Sequence, residues 1–201
     1  MHVQLFVKGI AGSEDGSDGI TWPQGLALLR GEGLVSNWWR GRPAPLPRDA
    51  EPLLTPENLR RHLQDYANYG ADSPFISLAA GSVERLVSAN QVHSALNVAL
   101  AFATKHWRRP GILFYGWTLV APQPAVEAAL VSEAVRDLLV YRDWLKYQTQ
   151  GEITAKIRIS SRQLERIEWW DGIKDPRAAA RVETNPNYVD PVRLCGLRGF
   201  F

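Results

Sequence analysis

One cysteine, Cys195, stands among 201 residues, so no intramolecular disulfide can close and a small secreted scaffold stapled by disulfides is excluded. No Cys/His group has metal-ligand spacing, which removes the zinc-finger and zinc-ribbon classes. Charge of one sign is missing too. The 23 Lys and Arg residues are met by 21 Asp and Glu, for a net +2. The total therefore supplies no general pull toward nucleic acid or anionic lipid, and any such binding has to be local. No apolar run is long enough to span a bilayer, and no membrane partner is expected. The N-terminal MHVQLFVKGIAGSEDGSDG carries a short apolar stretch followed by acidic residues, unlike the basic start and longer apolar core of a signal peptide. These absences fit a cytoplasmic, reducing location, or an effector delivered without a conventional signal peptide. Internal repeats and low-complexity tracts are absent as well.

What the chain does contain is the balance of an ordinary globular fold, with 45% hydrophobic and 22% charged residues. Its length buries one sizeable core and falls in the single-domain range. We expect one domain over residues 1–172, with 173–201 an irregular tail that packs on the domain or is partly disordered.

Residues 3–8, VQLFVK, are β-prone and run into a Gly/Ser/Asp-rich segment, as a strand entering a loop does. Thr21, Trp22 and Pro23 precede GLALLRGEG, where a capping hydroxyl, an early proline and terminal glycines bracket a short helix. The proline-rich stretch from Arg40 to Leu53 reads as extended. TPENLRRHLQDYANYG has Thr55 as cap, Pro56 at the first helical position, and Leu59, Leu63 and Tyr66 at three- and four-residue spacing, which predicts a helix. SPFISLAAGS then reads as a short strand closed by a glycine turn, NQVHSALNVALAFATKHW as a buried helix and GILFYGWTLV as a central strand. AVEAALVSEAVRDLLVYRDWLKY reads as one or two amphipathic helices, while GEITAKIRI and LERIEWW read as strands. Neighbours on a strand face opposite ways, so one member of each pair Trp38-Trp39 and Trp169-Trp170 is expected to be exposed. The class is α+β.

Three strand-borne pieces stand out: Lys8 on the first strand, Ser77 in PFISLAA, and Gln150-Gly151-Glu152 opening a later strand. Taken singly they are ordinary. Glu152 alone is a solvated carboxylate at a strand entrance, Ser77 a small core residue bonded to a backbone carbonyl, and Lys8 a strand-end lysine. Their order carries the information. LFVK, FISLA and QGEI, followed by EITAKIRISSRQLERIEWW, resemble the Arg-Ser-Glu class of the ADP-ribosyltransferase superfamily, with its cholera-toxin-like and pierisin-like branches. There the first strand reads like LYR, and the second carries Ser-Thr-Ser after an aromatic or aliphatic pair. A late strand opens with Glu or Gln, any residue, then Glu, and a Gln-Ile or Gln-Leu follows after a turn. The resemblance spans roughly residues 3–170 and rests on order and local pattern.

The resemblance implies an ADP-ribosyltransferase-like fold, with two small antiparallel or mixed sheets framing an NAD cleft and helices flanking it. NAD is the implied cosubstrate and a macromolecule the acceptor. Breaking the nicotinamide glycosidic bond develops an oxocarbenium-like sugar whose charge must be stabilised where it forms. A carboxylate bonded to the ribose hydroxyl does this, and Glu152 matches that position. Gln150, two residues earlier on an extended chain, projects to the same side and would face the acceptor. In the family, Glu at that position goes with arginine acceptors, and Gln with asparagine, cysteine or guanine bases. A non-arginine acceptor, protein side chain or nucleic-acid base, is implied here. Ser77 would hold Glu152 in position and shape the nicotinamide pocket, and Tyr69, Phe75 or Tyr147 would stack on a ring. The departure is on the first strand, where Lys8 stands for the family arginine, Val7 being the other alignment. Lysine keeps the charge and loses the two-pronged fork, so Arg40 or Arg42 of WWRGRP would supply a guanidinium from a loop.

Two other functions remain open. A catalytically inert version of the fold, acting as a protein-binding module, is favoured by Lys8. A nucleic-acid-binding module would use RRHLQ, KHWRRP and the tail arginines, with a steep salt dependence, but these basic runs are scattered among acidic residues. His62, His93 and His106 lie beside no Ser or Cys nucleophile signature, so no hydrolase triad is argued. His93 and His106, on an apolar helix, read as structural, and Cys195 is no evident nucleophile.

Overall fold

The computed structural model describes residues 2–80, 95–120, 133–135, 152–172 and 178–191. The first strand, β1 (His2–Ala11), extends the expected VQLFVK at both ends. Thr21 and Gln24 then cap helix α1 (Trp22–Ala27) reciprocally, the Thr21 backbone N–H donating to Gln24 Oε1 at 2.7 Å. A π-helical turn (Leu28–Glu32) leads into the short strand β2 (Leu34–Val35). The stretch expected to be extended up to Leu53 instead coils into α2 (Asn37–Arg40), α3 (Pro47–Ala50) and a 3-10 turn (Glu51–Leu53). The physical reason is the position of the prolines. Pro47 and Pro52 sit in the first turn of their helical segments, where no amide proton is needed.

Helix α4 (Pro56–Gln64) starts where Thr55 and Pro56 predict, with Asn58 N–H donating to Thr55 Oγ1 at 3.2 Å. It is followed by the single turn α5 (Tyr66–Tyr69) and strand β3 (Phe75–Ala79). Then come α6 (Ala95–Ala103), β4 (Gly111–Val120) and β5 (Glu133–Val135). Strand β5 falls in a segment expected to be helical, and pairing with two neighbours overrides its helix propensity. The chain continues through β6 (Glu152–Lys156), β7 (Arg158–Ile159), β8 (Leu164–Trp170) and β9 (Arg181–Thr184).

These strands make two mixed or antiparallel sheets, one much larger than the expected small pair. The larger runs β1-β3-β6-β5-β4-β8-β9, and an extra β1–β4 pairing joins its interior strands into a closed circuit; the smaller is β2-β7. Only β4–β5 is parallel among the described pairs. The passage from one sheet to the other is made at Ile157, a fully buried residue with φ of 61°. Its N–H donates to Pro74 carbonyl at 2.7 Å and its carbonyl accepts from Ser36 N–H at 2.8 Å, so both flanking segments hold the strained turn. Gly33 completes the small sheet: with φ of 83° and an added Cβ 2.1 Å from the Ile159 carbonyl oxygen, no other residue fits.

Phe6, Ile76, Phe114, Ile153 and Ile167 belong to the central core. Trp38, Leu59, Leu63, Phe75 and Ile157 close a second cluster beneath the short helices, and α6 packs on β1 and β4 through Val7, Ala99, Leu100 and Leu113. Because β8 has the core on one face and α6 on the other, Trp169 and Trp170 are both buried, against the expectation of one exposed ring. Trp38 and Trp39 lie on a helical turn, the first buried and the second partly so. The expected irregular tail contributes β9. Asn185 behind it donates to the carbonyls of Leu29, Ser161 and Leu164, and Trp117 Nε1–H donates to Val189 carbonyl at 2.9 Å. Among the described residues no helix is long and apolar enough to cross a membrane.

Candidate functional site

A cleft of about 410 Å³ opens between β1, β3, the α2 turn, α4 and α6. Its lining brings together Lys8, Arg40, Phe75, Ser77 and Glu152 from four elements, with His62, Tyr66 and Asn37 beside them. Strand register explains the convergence. Val7 pairs with Ala79 and Ala79 with Glu152, so Lys8 and Glu152 sit near one level on β1 and β6 with β3 between them. Ser77 pairs with Thr154, two residues after Glu152, and alternate residues share a face. Gly9 lets α6 approach β1: an added Cβ would come 2.2 Å from the Ala99 carbonyl oxygen.

Burial pushes the Lys8 ammonium below its ordinary value, the Glu152 carboxylate opposes that fall, and Arg40 adds to it. Lys8, and not the Val7 of the other alignment, thus carries charge beside Glu152, whereas Val7 packs into the α6 cluster. The two loop arginines are separated by the fold. Arg40 is exposed and lines the cleft. Arg42 turns away, its guanidinium 4.5 Å over the Trp38 ring, donating to the Trp38 carbonyl at 2.8 Å and lying 3.9 Å from Asp72. It lines a larger, shallower hollow of about 500 Å³ with Pro43, Pro45 and Asp49, away from Glu152. Of the aromatic candidates, Phe75 borders the cleft from the core, Tyr69 is buried beneath Arg61 and does not line it, and Tyr147 lies outside the described residues. Gln150, His93 and Cys195 also lie outside them.

The sequence reading missed His62. It is 3% exposed on the apolar face of α4, and its ring joins two serines: Nε2 lies 2.9 Å from Ser77 Oγ and Nδ1 2.7 Å from Ser73 Oγ. Burial first, and the charge of Lys8 second, pull its pKa down to about 3, so the imidazole is neutral at ordinary pH. A signal was available, since His62 is three residues from Leu59 and four from Tyr66, on the stripe that faces the protein interior. Tyr66, whose spacing from Leu59 and Leu63 predicts helix packing, is half-exposed at the rim. Its hydroxyl accepts from Asn37 Nδ2 at 3.0 Å and its ring meets His62 edge-on at 5.4 Å. Chemically, the cleft offers two cations for an anionic ligand, a carboxylate able to stabilise a developing cation, and a serine held by a neutral imidazole. Among the described residues no three His, Cys, Asp or Glu side chains cluster as a metal site.

No family model matches the chain, and no curated protein matches its sequence. Solved structures do. The protein titled EcPltA aligns with a TM-score of 0.51 at 13% identity, covering 94% of this chain and 89% of that one. The full-length CARDS toxin aligns at 0.47 and 12% identity over 93% of this chain and 29% of its own. The catalytic domain of the mosquitocidal toxin from Bacillus sphaericus aligns at 0.43 and 11% identity, over 98% and 61%. The alignment with EcPltA shows the fold, and the architecture of this chain is the ADP-ribosyltransferase fold.

Proposed function

We propose that this chain is a mono-ADP-ribosyltransferase that cleaves NAD at its nicotinamide glycosidic bond and passes ADP-ribose to a non-arginine acceptor, a protein side chain or a nucleic-acid base. The observation that carries the reading is the meeting of Glu152, Ser77 and Lys8 from three strands in one cleft. Glu152 stabilises the oxocarbenium-like sugar as the C–N bond breaks and nicotinamide leaves with the bonding electrons. Lys8 and Arg40 hold the pyrophosphate, the lysine as a point charge and the arginine as a planar fork. Ser77 orients the carboxylate, and Gln150 is assigned the role of positioning the acceptor. With no acceptor present, water takes its place and the reaction becomes NAD hydrolysis.

The test is nicotinamide release from NAD by the wild type beside Glu152→Gln, both checked for folding by circular dichroism. Release by the wild type alone supports the reading. Silence from both, with no heat on titrating NAD into the wild type, overturns it in favour of an inert fold that binds a partner protein, the reading the lysine at position 8 favours.

A further inference from the structure

His62 bridges two hydroxyls, and the proton positions along that bridge follow from counting donors. Ser73 Oγ is buried and has two neighbours within hydrogen-bond distance among the described residues: Phe75 N at 3.2 Å and His62 Nδ1 at 2.7 Å. The Phe75 amide can only donate, so it occupies one lone pair of Ser73. The Ser73 hydroxyl proton then needs an acceptor, because a buried donor aimed at nothing costs about 1–3 kcal/mol. Its one remaining neighbour is His62 Nδ1. A ring nitrogen that accepts carries no proton, and a neutral imidazole carries one proton in all, which must therefore sit on Nε2. Nε2–H donates to Ser77 Oγ across 2.9 Å. Ser77 thus spends a lone pair on the histidine and keeps its own hydroxyl proton. Ser77 lines the cleft and shares its sheet face with Glu152, its diagonal neighbour across the β3–β6 pairing.

We propose that Ser73 is a positioning residue: its hydroxyl fixes His62 as the Nε2-protonated tautomer, which leaves the Ser77 hydroxyl to donate into the cleft that Glu152 lines. The inference rests on the reading of Glu152 as the reacting carboxylate. The opposite tautomer would draw the Ser77 proton to Nε2, and Ser77 could then only accept. That orientation would set lone pairs against a carboxylate instead of a donor. The two serines have different work: Ser77 lines the cleft, while Ser73 lies wholly inside and acts through the ring.

Long-range proton–nitrogen correlation NMR on the folded wild-type protein reads the tautomer directly, before any activity is measured. A proton on Nε2 of His62 is expected; a proton on Nδ1 overturns the inference and leaves the Glu152 reading standing. In Ser73→Ala the constraint is gone. A mixed tautomer signal is expected, with kcat for nicotinamide release down about 5- to 10-fold, the effect of one ordinary hydrogen bond, and KM for NAD nearly unchanged. An unchanged Nε2–H signal and kcat in that variant overturn the role of Ser73. Silence of the wild type toward NAD overturns the functional reading and this role with it, and the wild-type spectrum tells that failure from a wrong tautomer.

Discussion

Two places in this molecule hold a carboxylate, an arginine and aromatic rings against the sheet, and they differ in what their polar atoms face. At the α6 side, Glu168 accepts from Tyr115 Oη at 2.8 Å, Trp170 Nε1 at 3.0 Å and Arg166 Nε at 3.1 Å, with the Arg166 guanidinium 3.7 Å over the Tyr115 ring. Every partner comes from β4 or β8, and none of these side chains lines the cleft. In the cleft, Lys8, Arg40, Ser77 and Glu152 line open space, and the Ser77 hydroxyl meets His62 Nε2 at 2.9 Å. The same residue types make a structural clamp when they satisfy one another, and a binding site when they surround a volume.

The comparison is broken most severely by exchanging each carboxylate for its amide. Glu168→Gln puts an NH2 group among three donors and is expected to cost about 2–3 kcal/mol of stability, read as a lowered urea midpoint, while the folded fraction keeps its NAD activity. The cleft's buried imidazole sharpens the contrast through pH. His62 titrates near 3 when folded and 6.5 in its ordinary state, so between these values the unfolded chain binds more protons. Its contribution is intact above about pH 6.5 and is lost at about 1.4 kcal/mol per unit as pH falls toward 3. His62→Gln should flatten that portion of the stability profile in urea titrations at stepped pH, and an unchanged slope would remove His62 as its source.

Lys8 gives a smaller, opposite trend. Its pKa lies below 10.5, so the ammonium is lost as pH rises and NAD binding should weaken before an ordinary lysine would titrate. KM for NAD is expected to climb several-fold on the alkaline side in the wild type and to stay level in Lys8→Arg, whose guanidinium remains charged. The smallest contrast is between the two loop arginines: Arg40→Ala should raise KM for NAD about 3- to 10-fold, a surface-accessible charge contact, while Arg42→Ala leaves it alone. Equal effects would mean that the cleft does not choose between them.

Much of the fold was legible because it is written in local spacing. Thr55-Pro56 starts α4, the period-two alternation of EITAK marks β6, and the order of Lys8, Ser77 and Glu152 pointed to one site before any distance was known. What stayed hidden depends on contacts remote in sequence. His62 meets Ser77 fifteen residues away only because α4 folds back over β3. Strand β9 is four residues long with no internal period, and is specified by β8 beside it. The kink at Ile157 has no glycine to announce it; its backbone is held by Pro74 and Ser36. The prolines from 43 to 52 suggested extension, and two of them serve as first-turn residues instead.

The account stands most directly on nicotinamide release from NAD, measured for the wild type, Glu152→Gln and Glu168→Gln at matched folded concentration. It predicts release by the wild type and by Glu168→Gln, and a loss of about 100-fold or more in Glu152→Gln at unchanged stability, the scale of removing one preorganised charge from a transition state. Equal release by the wild type and Glu152→Gln would contradict it.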